Sequence, residues 1–392
     1  RLGLRCDDGW GNPSDNIKAR LGLSANLEVQ GLPESVAFEP GQFTQILESL
    51  SVKEPGILEI RLTDGDGTQL ARSNPLVISD GGGPRHFWGD MHGQSKETVG
   101  TNSAGDYFAF ARDMAFLDAT SHQGNDFQVS TEFWGEICDL CERFDEPGRF
   151  TAMPGYEWSG NTGMGGDRNV YFAKAGETIR RSSHAMIPDI SDIDNDCNTA
   201  DDLFRALIDR DAVVNAHVGG RYADMRRYHD GRVEKSVEIH SAWGSFEWIL
   251  MDSFEMNHRI GIVANSDGHK GRPGASHPGA SLFGAFGGLT CFLTDDLSRA
   301  GIMECWRSRH HYATTGARIY LDVKAGFDQP GLIFATDPAL GEAASRPLSE
   351  ITMGDIYCAA SDRVQLDLKI VGTSPLLRVD VFDGARLIES LR

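Results

Sequence analysis

Between about residues 85 and 318, short apolar runs end repeatedly in a histidine or a carboxylate, and this recurrence constrains the chain more than any other feature. His86 to Gly89 leads into Asp90-Met91-His92, Phe116 to Thr120 into His122, Phe150 to Pro154 into Glu157, and Val213-Val214-Asn215-Ala216 into His217. Glu238-Ile239-His240 closes the next run, and Asp267-Gly268-His269 follows Gly261 to Asn265. Val170 to Ala173 and Leu289 to Leu293 are further candidate strands. Helical segments fall between the runs, at Ala104 to Ala115, Thr131 to Phe144, Ala200 to Asp209, Phe246 to Asn257 and Arg299 to Arg307. Strands alternating with helices predict parallel βα units. Roughly seven or eight such units fit a closed (β/α) barrel better than an open sheet, and a barrel brings the carboxyl ends of its strands to one face.

The flanks read differently. In residues 1–84 the run Ile57 to Leu62 alternates, Asp64-Gly65-Asp66-Gly67 is turn chemistry, and Pro75 to Ile78 resumes an extended pattern. A similar phrase, Leu377 to Phe382 before Asp383-Gly384, lies in residues 319–392. The chain is therefore expected to hold a β-rich N-terminal domain at 1–84, a central α/β barrel at 85–318, and a β-rich, sandwich-like C-terminal segment at 319–392. Gly81-Gly82-Gly83-Pro84 reads as a linker.

A formal net charge of −20 argues against nucleic acid or an anionic membrane as partner, because both require basic faces. There is no apolar run long enough to span a bilayer, so a soluble protein is expected, cytoplasmic or periplasmic. The 7 cysteines are scattered and odd in number, which is not a disulfide framework. Cys138 and Cys141 form a CxxC, but Phe133, Ile137, Leu140 and Phe144 at helical spacing around them predict buried helix residues.

Imidazoles and carboxylates without cysteine suit zinc, manganese or iron(II), and so many candidates suggest on the order of two or three ions. Arg168, Arg221, Lys270 and Arg272 adjoin the candidate ligands and would hold a small anionic substrate, since a guanidinium fork matches phosphate or carboxylate oxygens. Glu238 and His240 share one face of a strand, so both reach the cavity or both orient the true ligands. Asp90 either joins the chemistry or caps the turn that follows it. The glycine-rich stretch from Gly271 to Gly288 reads as a loop over the barrel mouth.

Phe87-Trp88-Gly89-Asp90-Met91-His92, Gly155-Tyr156-Glu157-Trp158, Asp167-Arg168-Asn169-Val170, Ser266-Asp267-Gly268-His269 and Tyr312-Ala313-Thr314-Thr315-Gly316-Ala317-Arg318 together resemble the PHP superfamily of metal-dependent phosphoesterases, and more closely the DUF3604 family. The resemblance implies a distorted PHP-like barrel with up to three divalent ions, usually manganese, zinc or iron, and hydrolysis of phosphate esters. Carried over by position, His92 matches the first histidine of the HxH motif, with Gln94 at the second. His122 matches a histidine whose usual aspartate partner is replaced by Ser121. Glu157 matches the bridging carboxylate, His184 and His217 later histidines, and Asp267 with His269 the terminal Asp-x-His pair. A neutral amide at Gln94 binds such ions more weakly than imidazole, so these departures can remove one ion.

The mechanism expected on this basis is attack by a water activated between ions bridged by Glu157 or Asp267. Arg221 or Lys270 would stabilise the developing charge, and His240 or Asp90 would protonate the leaving oxygen. Two other readings stay open: an amidohydrolase-like enzyme acting on a C–N bond or lactone, and a non-catalytic, metal-depleted binding module.

Overall fold

The computed structural model describes residues 1–274 and 286–392, which form two compact units. The first comprises Arg1–Pro84, Ala317–Leu321 and Lys369–Leu376, and the second the remaining described residues. Part of the Gly271 to Gly288 loop lies outside the described residues.

In the first unit, alternation builds a four-stranded antiparallel sheet from Ser35–Phe38, Ala19–Ala25, Ile60–Thr63 and Gln69–Arg72, in that spatial order. Leu21, Leu23, Val36, Phe38 and Ile60 fall on its inner face and, with Leu58, form the core of the unit. The Asp64 side chain accepts from the backbone N–H groups of Asp66 and Thr68, and Gly67 takes φ +82°, so the Asp-Gly-Asp-Gly phrase turns the chain as its composition predicts.

Two of the sheets in the second unit lie within residues 85–316. One has the order β3-β2-β1-β10-β11, built from β1 (Arg85–Asp90), β2 (Ala119–Ser121), β3 (Thr151–Met153), β10 (Leu289–Thr294) and β11 (His311–Thr314). The other runs β4-β5-β6-β7-β8, from β4 (Gly155–Ser159), β5 (Asp167–Phe172), β6 (Ala212–Ala216), β7 (Glu234–Ser241) and β8 (Gly244–Ser245), with β9 (Gly261–Ala264) also paired to β7. Helices α1 (Ala104–Ala109), α2 (Thr131–Phe144), α3 (Ala200–Leu207), α4 (Glu247–Glu255) and α5 (Arg299–Ser308) connect them. Ser130, Thr199 and Ser298 cap α2, α3 and α5 through their side-chain oxygens.

The expected closed ladder of seven or eight parallel βα units is not what the described residues form. β1, β2 and β3 pair in parallel, as do β6, β7 and β9, but β4 with β5, β5 with β6, and β1 with β10 are antiparallel. The reason is local for β4 and β5. Residues 160–166 supply only a 3-10 turn, and a parallel return needs a longer crossover. The molecule is therefore a mixed α/β, sheet-rich protein. Both sheets contribute to one core, in which Met91, Ala119, Met153 and Phe292 meet Tyr171, Val213 and Val263 against Ile302, Met303 and Trp306 of α5. Cys138 and Cys141 are buried, unbonded to each other, on the same side of α2 as Phe133, Ile137 and Leu140. No described helix is long and apolar enough to cross a membrane.

Candidate metal centre

Strand parity assembles the centre. Across β4 and β5, Glu157 stands opposite Asn169 and Ser159 opposite Asp167, and across β5 and β6, Asn169 stands opposite Asn215. Because alternate side chains share a face, Glu157, Asp167, Asn169 and Asn215 all point one way, and His217, two residues beyond Asn215, continues the row. His92 arrives from the end of β1 and Asp267 from the end of β9. Their loops are interlocked. Asp267 N donates to His92 O at 2.8 Å, Gln94 N to Gly268 O at 2.8 Å, and Ser266 Oγ to His92 O at 3.0 Å. Asp267 adopts φ +46°, a left-handed conformation that costs a non-glycine residue on the order of 1–3 kcal/mol and is held here by those bonds.

Two groups of ligand-type atoms result, His92 with His217 and Asp267, and Glu157 with Asp167 and His217, each converging to within 4.8 Å. All five residues are buried. His92 Nε2 lies 3.3 Å from Asp267 Oδ1 and 3.7 Å from Glu157 Oε2, and His217 Nε2 lies 3.8 Å from Glu157 Oε1. Three of the four nitrogens on these two imidazoles, His92 Nε2 and both of His217, are buried without a hydrogen bond. Such atoms ordinarily carry a cost of about 1–3 kcal/mol each, so a cation accepting their lone pairs fits what the residues lack. Burial pulls His92 down, but the charges of Asp267 and Glu238 hold it well above the ordinary imidazole range; burial and the charge of His92 pull His217 below it. Burial, and next the charge of Glu157, push Asp167 well above the carboxylate range even with Arg221 beside it. The cluster is short of positive charge.

Neighbouring groups orient these side chains. Glu238 accepts from His92 Nδ1 at 3.1 Å and is itself bonded by Asn265 Nδ2 at 2.7 Å, whose amide oxygen accepts from Met91 N. A carboxylate on the far nitrogen is what fixes the tautomer of a ligating histidine. Gln94 Nε2 donates to Glu157 Oε2 at 3.2 Å, while its oxygen accepts from Thr98 Oγ1 at 2.8 Å. Gln94 thus holds the carboxylate rather than offering an oxygen to an ion. His269 Nε2 lies 3.3 Å from Asp267 Oδ1.

Several residues expected at the centre are placed elsewhere. His122 is buried with both nitrogens engaged, Nε2 by Ser95 Oγ at 2.8 Å and Nδ1 by Gly124 N at 3.2 Å, and burial pushes it down to about 3, so it is a neutral, satisfied core residue. His184 is gripped by Asp196 at 2.7 Å and Asp192 at 2.9 Å, next to Arg181. Arg168 is fully buried on the opposite face of β5. Its guanidinium binds Glu234 at 2.8 Å and the carbonyls of Gly165, Gly166 and Tyr228, which leaves nothing for a substrate.

Neither expected proton donor is poised for that role. Asp90 accepts from the backbone N–H groups of Ser266 at 2.8 Å and Gly274 at 2.6 Å, tying down the loop that carries Asp267 and His269, and burial pushes it up to about 6. His240 Nδ1 accepts from Ser245 Oγ at 2.7 Å and Nε2 donates to Phe286 O at 3.0 Å. Lys270 and Arg272 lie half-buried on the loop after His269, where Lys270 makes no ion pair among the described residues. Arg221 does reach the cluster, with Nε 2.8 Å from Asp167 Oδ1 and Nη2 3.6 Å from Glu157 Oε1. Asp167 is the residue that reading the sequence alone passes over, because only its register against the strand of Glu157 places it on the face of the centre.

Residues 85–217 match the family described as Protein of unknown function (DUF3604), the family that the motifs resemble. An uncharacterized protein of Chlamydia pneumoniae is 24% identical over 376 residues, covering 88% of this chain and 58% of its own length. The chain thus spans less than two thirds of that relative. Among solved structures, it is similar to a two-domain protein from Bacteroides vulgatus containing a predicted PHP-like metal-dependent phosphoesterase, at TM-score 0.40 and 11% identity, over 78% of this chain and 91% of that one. It is also similar to endonuclease Q in complex with a 27-mer duplex substrate bearing an abasic lesion, at TM-score 0.38 and 11% identity, over 57% of each chain.

Net charge alone does not exclude nucleic acid, contrary to the inference from composition. The physical reason is that a charge of −20 summed over the whole chain does not set the field at a site where bound cations would be the largest local charges.

Proposed function

We propose that this chain is a metal-dependent hydrolase of phosphate esters, with its centre at His92, His217, Asp267, Glu157 and Asp167. The observation that carries the reading is the set of buried imidazole nitrogens on His92 and His217 that lack any hydrogen bond and face three carboxylates. A purely structural cluster would have closed those bonds within itself. The donor set of imidazole and carboxylate suits manganese, zinc or iron(II). When bound, such an ion lowers the pKa of a coordinated water toward neutrality and supplies the nucleophile.

The chain's own residues do the rest. Glu238 holds His92 in one orientation, Gln94 and Arg221 hold Glu157, and Asp90 anchors the loop of Asp267 and His269. Arg221, with its side chain 28% exposed, presents guanidinium N–H groups to the non-bridging oxygens of an anionic ester. Phosphodiesters, including those of nucleic acid, belong to this substrate class. The two sheets around a shared core, with His92, His217 and Asp267 beyond the ends of β1, β6 and β9 and Glu157 and Asp167 on β4 and β5, fit a distorted PHP-like barrel.

The test is hydrolysis of p-nitrophenyl phosphate and bis(p-nitrophenyl) phosphate by chelator-stripped protein before and after reloading with manganese or zinc. Release of nitrophenol only after reloading is expected. Turnover of anilides or lactones but not of either phosphate would assign the centre to C–N or lactone chemistry instead.

A further inference from the structure

The two ligand groups are not equivalent. The group of His92, His217 and Asp267 adds the buried His92 Nε2, without a hydrogen-bond partner, to the His217 nitrogens that both groups share. The pocket of Glu157, Asp167 and His217 already faces a cation of the chain itself. Arg221 Nε lies 2.8 Å from Asp167 Oδ1, its backbone N–H donates to Asp167 Oδ2 at 2.8 Å, and Nη2 lies 3.6 Å from Glu157 Oε1.

This arrangement is built into the loop His217-Val218-Gly219-Gly220-Arg221. A Cβ at Gly219 would sit 3.0 Å from Asp167 Oδ2, so a side chain there would press on the very oxygen that the Arg221 amide holds. The ring of Phe127 lies 5.3 Å beneath the guanidinium and supports it from the other side. On the same carboxylate pair, the position where an imidazole would be expected carries Gln94, which donates a neutral N–H to Glu157.

We infer that Arg221 stands in for a second metal ion, so that the centre takes one tightly held divalent ion at His92, His217 and Asp267 and uses the Arg221 guanidinium as its second positive charge. The inference rests on the metal-centre reading above and sharpens it to one ion plus one arginine. A second ion entering between Glu157 and Asp167 must displace the guanidinium, losing its charge-assisted bond to Asp167 and its ion pair with Glu157 and meeting its charge.

The experiment is calorimetric titration of the metal-free chain with zinc, with metal analysis after desalting, on wild type, Arg221→Gln and Arg221→Lys. Wild type is expected to retain one equivalent tightly. Arg221→Gln should gain a second site at least about tenfold tighter than any weak second site of the wild type, with the first equivalent much less affected. Arg221→Lys keeps the charge but loses the fork, and should fall between them; it serves alone if the glutamine variant does not fold, and a second site unchanged from wild type then contradicts the inference.

Two tight equivalents in wild type would overturn the inference and leave the metal-centre reading standing. Equal tightening of both equivalents in Arg221→Gln would be a general effect of charge and would also overturn it. Wild type that takes up no zinc overturns both.

Discussion

Two buried charge clusters lie on opposite faces of the same strands, and a single peptide bond in β5 separates them. Asp167 faces the candidate metal centre and Arg168 faces away from it. On the Arg168 side every guanidinium nitrogen has an acceptor, and Glu234 is shared between Arg168 and His229 at 2.8 and 2.7 Å. On the Asp167 side, His92 Nε2, both nitrogens of His217 and both amide atoms of Asn169 are buried without a hydrogen bond. Burial and charge are common to both. What differs is closure. A network that completes its own bonds holds the fold together, whereas one that leaves convergent donors open is prepared for something from outside.

The comparison breaks most directly at Glu234. Glu234→Ala leaves Arg168 charged and buried without its partner, which should cost about 3–5 kcal/mol of unfolding free energy, while zinc uptake per folded chain stays that of wild type. Chemical denaturation and metal analysis measure the two quantities separately. A variant as stable as wild type would mean that the closed cluster contributes nothing special.

The mirror-image substitution is Glu238→Gln, which removes the carboxylate from His92 Nδ1. Zinc affinity should fall roughly 10–100-fold with a far smaller change in stability. Competition with a chelator reads it, and an unchanged affinity would show that His92 is held by its loop alone. A weaker effect is expected from Gln94→Leu, which frees Glu157 Oε2: a net hydrogen bond of about 0.5–1.5 kcal/mol corresponds to a loss of zinc affinity between about twofold and tenfold.

Legibility in the sequence follows the same division. Periodicity places Ala212–Ala216 and Thr131–Phe144 to the residue, because an apolar run and a capped amphipathic stretch are decided locally. Local pattern does not decide which strands pair, so the ladders that make two mixed sheets were not legible. The same limit hid Asp167. Asp167-Arg168 shows a cation and an anion side by side, and only the register with Glu157 says which of them shares its face. Gln94 was visible as a departure from an imidazole pair, but its hold on Glu157 depends on Thr98 fixing its oxygen, a contact made only in the fold. His122 and His184 looked like ligands from type and position, yet close their bonds with Ser95 and Gly124, and with Asp192 and Asp196.

His184 sharpens the comparison with the smallest effect. Burial opposes its protonation, but the bonds to Asp196 and Asp192 raise its pKa above the ordinary imidazole value. Between the unfolded and folded values the native chain binds a proton that the unfolded chain lacks. The stability it contributes is therefore full below the unfolded pKa and lost as pH rises through the folded one. Unfolding free energy followed from pH 6 upward should show this decline in wild type, and His184→Asn should flatten it without altering zinc uptake. A decline of equal size in the variant would assign the pH dependence to other groups.

The most direct test of the central claim is the thermal shift produced by zinc, in wild type and in His217→Ala, because His217 is the one residue common to both ligand groups. An ion that binds only the folded chain stabilises it by about 2.7 kcal/mol at a hundredfold excess over Kd. Wild type and Glu234→Ala should both show a rise in Tm with zinc, and His217→Ala should show none. Equal rises in wild type and His217→Ala, or no rise in wild type, would contradict the assignment of this cluster as a metal centre.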